Sequence, residues 1–161
     1  LANVNEAVKQ NLKMYLSQYR IVTDAINLKN AYIINFSIKF GIITQRGYNQ
    51  NSVLFKCIQR VRNHFNIDKW QINQPIVLSD VAYQISLVEG VASVVPPDGN
   101  EPGNPLVVVE NKATTSEGYS GNVYDIAQST KNGIVYPSKD PSIFELKYPD
   151  TDIIGKVLGE I

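Results

Sequence analysis

Cysteine and histidine each occur once in the 161 residues, as Cys57 and His64. A single cysteine cannot form an internal disulfide, which excludes a disulfide-stapled secreted domain and makes a reducing compartment the easier reading. One histidine and one cysteine cannot build a closed zinc site either, so neither a metal nor a cofactor is expected. No apolar run approaches the roughly 20 residues of a membrane-spanning helix. The N-terminus lacks the basic region and apolar stretch of a signal peptide. Charge of one sign is missing as well, because fifteen basic and fifteen acidic residues cancel. A neutral chain has no electrostatic footprint for nucleic acid or for an anionic membrane. Near-zero net charge also removes a barrier to self-association. The chain opens with Leu-Ala-Asn rather than Met and reads as a fragment of a longer protein.

Apolar residues make up 43% and charged residues 19%, enough for a packed core. Residues 4–19 read as an amphipathic helix, with Val4, Val8, Leu12, Tyr15, Leu16 and Tyr19 on one face and Asn3 with Glu6 as a capping box. Residues 20–30 carry no clear period. Residues 31–43 alternate: Tyr32, Ile34, Phe36, Ile38, Phe40 and Ile42 on one face, Asn35, Ser37 and Lys39 on the other. That is a strand, and it implies an antiparallel sheet with one buried face. A helix capped by Ser52 is predicted to reach about Phe65, its apolar side formed by Leu54, Cys57, Ile58, Val61 and Phe65. A second starts at Ser79, with a Leu78–Tyr83 staple, an apolar stripe of Val81, Ala82, Ile85 and Val88, and an end at Gly90. Strands follow at Val91–Val95 and Leu106–Glu110, a hairpin pair separated by the proline-rich loop 96–105. Residues 113–122 read as a linker. Beyond them, short β-type runs are broken by Pro137, Pro141, Pro149 and a hairpin turn at Asn132-Gly133. This tail has too few apolar residues for its own core and is expected to lie along another surface.

Nothing here assembles a catalytic centre. Cys57 and His64 sit seven residues apart on one helix, about 10 Å along its axis, too far for a hydrogen bond. A packing cysteine and a boundary histidine account for them. Asp80, Glu110, Asp125 and Glu145 are scattered, and Asp80 suits a helix start. Asp150-Thr-Asp152 lacks the glycine and distal glutamate of a calcium loop and reads as exposed. Gly118 and Gly121 follow no strand and lack the lysine of a phosphate-binding loop. Lys56, Arg60 and Arg62 spread over a solvated helix face. Of the nine tyrosines, Tyr119, Tyr124, Tyr136 and Tyr148 lie in the weakly hydrophobic C-terminal segment and suit either a protein interface or this chain's own core, since tyrosine buries much area yet keeps a polar tip.

The strand 31–43, the helix 52–65, the segment Asp68-Lys-Trp-Gln-Ile-Asn-Gln-Pro-Ile-Val-Leu-Ser-Asp80 and the exit Val-Glu-Gly-Val-Ala-Ser-Val together resemble the C-terminal part of the baseplate J-like proteins. Leu16-Ser-Gln-Tyr-Arg20, Thr23-Asp-Ala-Ile-Asn27 and Tyr136-Pro-Ser-Lys-Asp-Pro-Ser-Ile-Phe-Glu-Leu-Lys-Tyr-Pro149 look like the large baseplate wedge proteins of T-even-like contractile-tailed phages. The loop 96–105 has no counterpart in that resemblance. The resemblance implies a structural virion protein of the tail baseplate, assembled in the host cytoplasm. Copies of such a protein dimerise, bind other wedge subunits and form a ring around the tail hub. It implies no catalytic residue and no small-molecule substrate.

The expected fold is α+β: a small antiparallel sheet against two or three helices. A helical arm spans 1–28, a strand-helix-helix-strand core 29–112 and a β-type tail 113–161 that makes inter-subunit contacts. Candidate interface residues are Leu12, Tyr15, Tyr19, Tyr119, Tyr124, Tyr136, Phe144 and Tyr148. Two alternatives stand beside this. A carbohydrate- or receptor-binding module would use Trp70 as an exposed platform, and a hydrolase would pair two carboxylates.

Overall fold

A computed structural model describes residues 1–19 and 28–161. The stretch Thr23–Asn27 and most of the aperiodic segment 20–30 lie outside the described residues. The elements are α1 (Glu6–Ser17), β1 (Tyr32–Thr44), α2 (Gln50–His64), β2 (Ile76–Val77), α3 (Leu78–Ser86), β3 (Val91–Val95), β4 (Val107–Asn111), a 3-10 turn (Thr115–Glu117), α4 (Ile126–Ser129), β5 (Thr130–Lys131), β6 (Ile134–Val135), β7 (Ser142–Glu145), α5 (Pro149–Asp152) and β8 (Ile153–Glu160). The protein is α+β, with a mixed five-stranded sheet and a three-stranded antiparallel one ordered β2-β6-β5.

β1 is the centre of the larger sheet. On one edge β4 pairs antiparallel with Phe36–Phe40 and β3 with Gly41–Thr44. On the other edge β7 runs parallel beside Tyr32–Asn35, and β8 parallel beside Ile38–Thr44. The sheet is therefore not purely antiparallel. A parallel neighbour needs a crossover long enough to return the chain to the same end, and the stretch between β1 and β7 supplies it. Nor do β3 and β4 form a hairpin with each other. They lie end to end along β1, Val95 opposite Gly41 and Val107 opposite Phe40. The loop between them leaves the sheet edge and rejoins it one position further on.

Ile34, Phe36, Ile38, Phe40 and Ile42 are fully buried in one cluster with Val53, Cys57 and Val61 of α2 and Val81 and Ile85 of α3. The Phe36 ring meets Phe65 and Phe144 edge-on at 5.1 and 6.2 Å. The opposite face of β1 is not the solvated one that its polar residues suggest, since Asn35 and Ser37 are also buried. Residues 119–124 cross it. Ser120 N–H donates to Asn35 Oδ1 at 2.8 Å, while Ser120 Oγ and Asn122 Nδ2 both donate to the Ile33 carbonyl at 2.8 Å.

The segment 113–161 does not lie on a separate surface. Ile126, Val135, Ile143, Phe144, Leu146 and Ile153 join the core of the rest of the chain. A segment too poor in apolar residues for its own core is stabilised by sharing one already present. The β5–β6 turn is the expected one, with Asn132 and Gly133 at φ 54° and 76°.

Helix starts shift slightly from the sequence reading. α1 is capped by Asn5, whose side chain accepts from Val8 N–H at 2.9 Å, rather than by Asn3. α2 is capped by Asn49 rather than Ser52, and α3 has no side-chain cap, so Ser79 lies inside it. Gly90 does take the left-handed conformation, φ 97°, and a Cβ there would stand 2.6 Å from Val53. Both facts reserve the position for glycine.

Candidate functional site

The expected interface residues separate into three groups. Phe144 is buried, its ring edge-on to Phe36, so it is a core residue and not an interface one. Tyr119 is also buried. Its hydroxyl donates to both carboxylate oxygens of Asp152, each at 2.9 Å. Burial and the Asp152 charge push the Tyr119 hydroxyl up to about 12. Asp152, far from an exposed loop residue, is itself 1% exposed, and burial raises its carboxyl above the usual range. Tyr124 is half-buried and donates to the Tyr136 carbonyl at 2.5 Å. Tyr136 and Tyr148 keep exposed rings, that of Tyr148 packing on Tyr119 at 5.3 Å.

Leu12, Tyr15 and Tyr19 form the third group, on and just beyond α1. No residue of this helix is buried. The Tyr15 and Tyr19 rings pack at a tilt, 5.5 Å apart, and both remain more than half exposed. Val4, Val8 and Leu16 complete the stripe and are exposed too. Val8, Leu12, Tyr15 and Tyr19 follow the 4-3-4 spacing of a helix seam, so α1 presents a continuous apolar face that none of the described residues buries. Asn5 starts the helix, and Val4 N–H donates to Asn30 Oδ1 at 3.1 Å, which ties the root of α1 beside the start of β1.

The residues weighed for chemistry have structural uses. Cys57 is fully buried, and burial raises its thiol to about 11. His64 packs edge-on to Phe65 at 4.9 Å. Burial lowers its imidazole and outweighs the opposing pull of Asp80. Trp70 lies in the same aromatic cluster, 5.2 Å from Phe65 and 8% exposed, so it offers no exposed platform for a sugar. Glu145 is buried and accepts from Asn35 Nδ2 at 2.8 Å. Asp125 caps α4, and Glu110 pairs with Lys39 at 3.8 Å. An open cleft of about 520 Å³ lies between the end of α2 and the β7–α5 connection. Its cations are engaged, Arg62 with Asp150 at 3.2 Å and Lys147 with the Gly118 carbonyl. Among the described residues no group of three or more His, Cys, Asp or Glu side chains could hold a metal ion. Among them, too, no helix is long and apolar enough to cross a membrane.

The missed features are the Tyr119–Asp152 pair and the polar junction of Asn35, Glu145 and Ser120. Both join residues far apart in the chain, and nothing in local spacing marks them. A scan of protein-family models and a search of curated proteins each return no match to this chain.

Proposed function

We propose that this chain is a non-catalytic structural module that assembles with further copies of itself through the apolar stripe of α1. The observation that carries the reading is that stripe, exposed along its full length. Contiguous apolar surface of this extent on a soluble domain marks an interaction site. The six side chains of the stripe leave on the order of 500 Å² uncovered, so pairing two such surfaces reaches about 1,000 Å², the threshold of a specific interface. The resemblance of its strand and helices to baseplate J-like proteins, and of its Tyr136–Pro149 stretch to the large baseplate wedge proteins of T-even-like phages, supports reading the assembly as a baseplate wedge ring of a contractile tail. Its partners are a second copy and other wedge subunits. Its site is the tail baseplate of a virion, and it carries out no reaction.

Sedimentation equilibrium of the chain across a concentration series tests this. The expected result is a mass that rises from monomer to dimer, with the rise abolished by Leu12→Glu combined with Tyr15→Ser and the circular dichroism spectrum unchanged. A wild-type chain that stays monomeric at millimolar concentration would falsify the reading.

A further inference from the structure

An open cleft of about 550 Å³ lies among residues 124–139. α4 and β5 form one wall, and the stretch after β6 forms the other. Two hydrogen bonds join the walls. Tyr136 N–H donates to the Ser129 carbonyl at 3.0 Å, and the Tyr124 hydroxyl donates to the Tyr136 carbonyl at 2.5 Å. The cleft is therefore largely preformed, as binding sites usually are. Tyr136 lines it and is 45% exposed. Lys131 and Lys139 line it too, and both are exposed. Among the described residues neither lysine has an ion-pair partner. Of the carboxylates adjacent in the chain, Asp125 caps α4 and Asp140 is not part of the lining. Two free cations beside an exposed aromatic ring call for an acidic ligand.

The chain itself carries a segment of matching chemistry. Between β3 and β4, every residue from Asp98 to Leu106 is exposed. The run contains Asp98, Glu101, Pro102 and Pro105 and no basic residue. Among the described residues neither carboxylate is ion-paired. The loop is shaped by its own hydrogen bonds, Asn104 N–H donating to the Glu101 carbonyl at 3.1 Å and Asn104 Nδ2 to the Gly99 carbonyl at 2.9 Å. A segment ordered in advance loses less entropy on docking. Proline against an aromatic groove is a recurring mode of peptide recognition, and carboxylates set against lysines fix its register. The loop does not line the cleft of its own chain, and its ends are held beside Phe40 and Gly41 of β1. A second copy can supply it. Pairing of two α1 stripes is isologous and closes at two copies, so a ring needs a further, head-to-tail contact. A loop of one copy in the cleft of the next is such a contact. Alone it buries less than about 1,000 Å², the range of transient encounters, so it gains its strength between copies that α1 already holds together.

We propose that the loop between β3 and β4 of one copy docks in the cleft lined by Lys131, Tyr136 and Lys139 of the next, with Asp98 and Glu101 set against the two lysines. The inference rests on the self-association reading for its ring and supplies the second contact. Single cysteines in the full chain test it, because Cys57 is fully buried and stays silent. Asn100 in the loop and Gln128 in the cleft lining are both exposed, and replacing them leaves every charge in place. Asn100→Cys and Gln128→Cys chains are mixed in equal amounts at low salt and oxidised mildly. The expected product is the mixed disulfide, in excess over both homodisulfides. Adding Lys131→Glu and Lys139→Glu to the Gln128→Cys chain should slow its formation roughly tenfold, since complementary charge acts chiefly on encounter. Adding Asp98→Lys and Glu101→Lys to the Asn100→Cys chain should then restore it, with native circular dichroism throughout. A mixed disulfide no more abundant than random pairing gives, or one indifferent to the lysine reversals, overturns the loop contact and leaves the α1 pairing intact. A wild-type chain that stays monomeric in sedimentation while the mixed disulfide still dominates removes the α1 pairing and upholds the loop contact.

Discussion

α1 and β1 are regular segments of twelve and thirteen residues with equally clear apolar periods. In β1 only Tyr32, Lys39 and Ile43 escape full burial; in α1 no residue is buried at all. Periodicity thus records which side of an element needs cover and not which part of which chain provides it. β1 is covered from within by two helices along one face and, at its start, by a returning loop on the other. The same kind of pattern in α1 is left for something else to complete.

Three substitutions probe that contrast. Phe36→Ala removes a fully buried ring that touches Phe65 and Phe144. It should cost about 3–5 kcal/mol, read as a lower midpoint in urea unfolding. A loss below about 1 kcal/mol would mean that the centre of β1 is not packed as described. Asn35→Ala strips the partner from Ser120 N–H and from Glu145 Oε1. Leaving buried polar groups unpaired should cost about 2–3 kcal/mol, with earlier hydrogen exchange at Ser120 as its local signature. If stability is unchanged, the closed end of the second face is looser than its hydrogen bonds imply. Leu12→Ser acts on the exposed helix and should change the stability of the monomer by no more than about 0.5 kcal/mol, measured at high dilution. A larger loss there would show α1 packed against its own chain, and the contrast would collapse.

Much of this fold is legible in the residues. The alternation of β-branched and aromatic residues in 32–42 marks β1, the stripe of Cys57 and Val61 marks α2, and Asn132-Gly133 marks its hairpin. The two buried faces of β1 are not legible, because Asn35 and Ser37 have the polarity of solvent-facing residues. The partners of Asn35, Ser120 and Glu145, arrive from the far end of the chain. The same distance hides the parallel pairing of β7 and β8. For the candidate interface, the α1 stripe is readable as an apolar face, but tyrosine content cannot tell the buried Tyr119 from the exposed Tyr136. Phe144 sits in a short run between prolines that gives no sign of reaching the core. Asp152 looks like loop surface until the Tyr119 hydroxyl is found above it.

The excursion between β3 and β4 carries one more consequence. Val95 and Val107 face adjacent residues of β1, so the edge of the sheet is complete without the chain between them. Gly99 and Gly103 take left-handed turns, and a Cβ added at either would meet nothing within 4 Å. Lengthening such a segment raises its closure cost only slowly, about 0.6 kcal/mol per doubling, and leaves every register in place. The loop is therefore a graft point: an epitope, a fluorophore or an inserted peptide placed there should ride on the sheet without disturbing it.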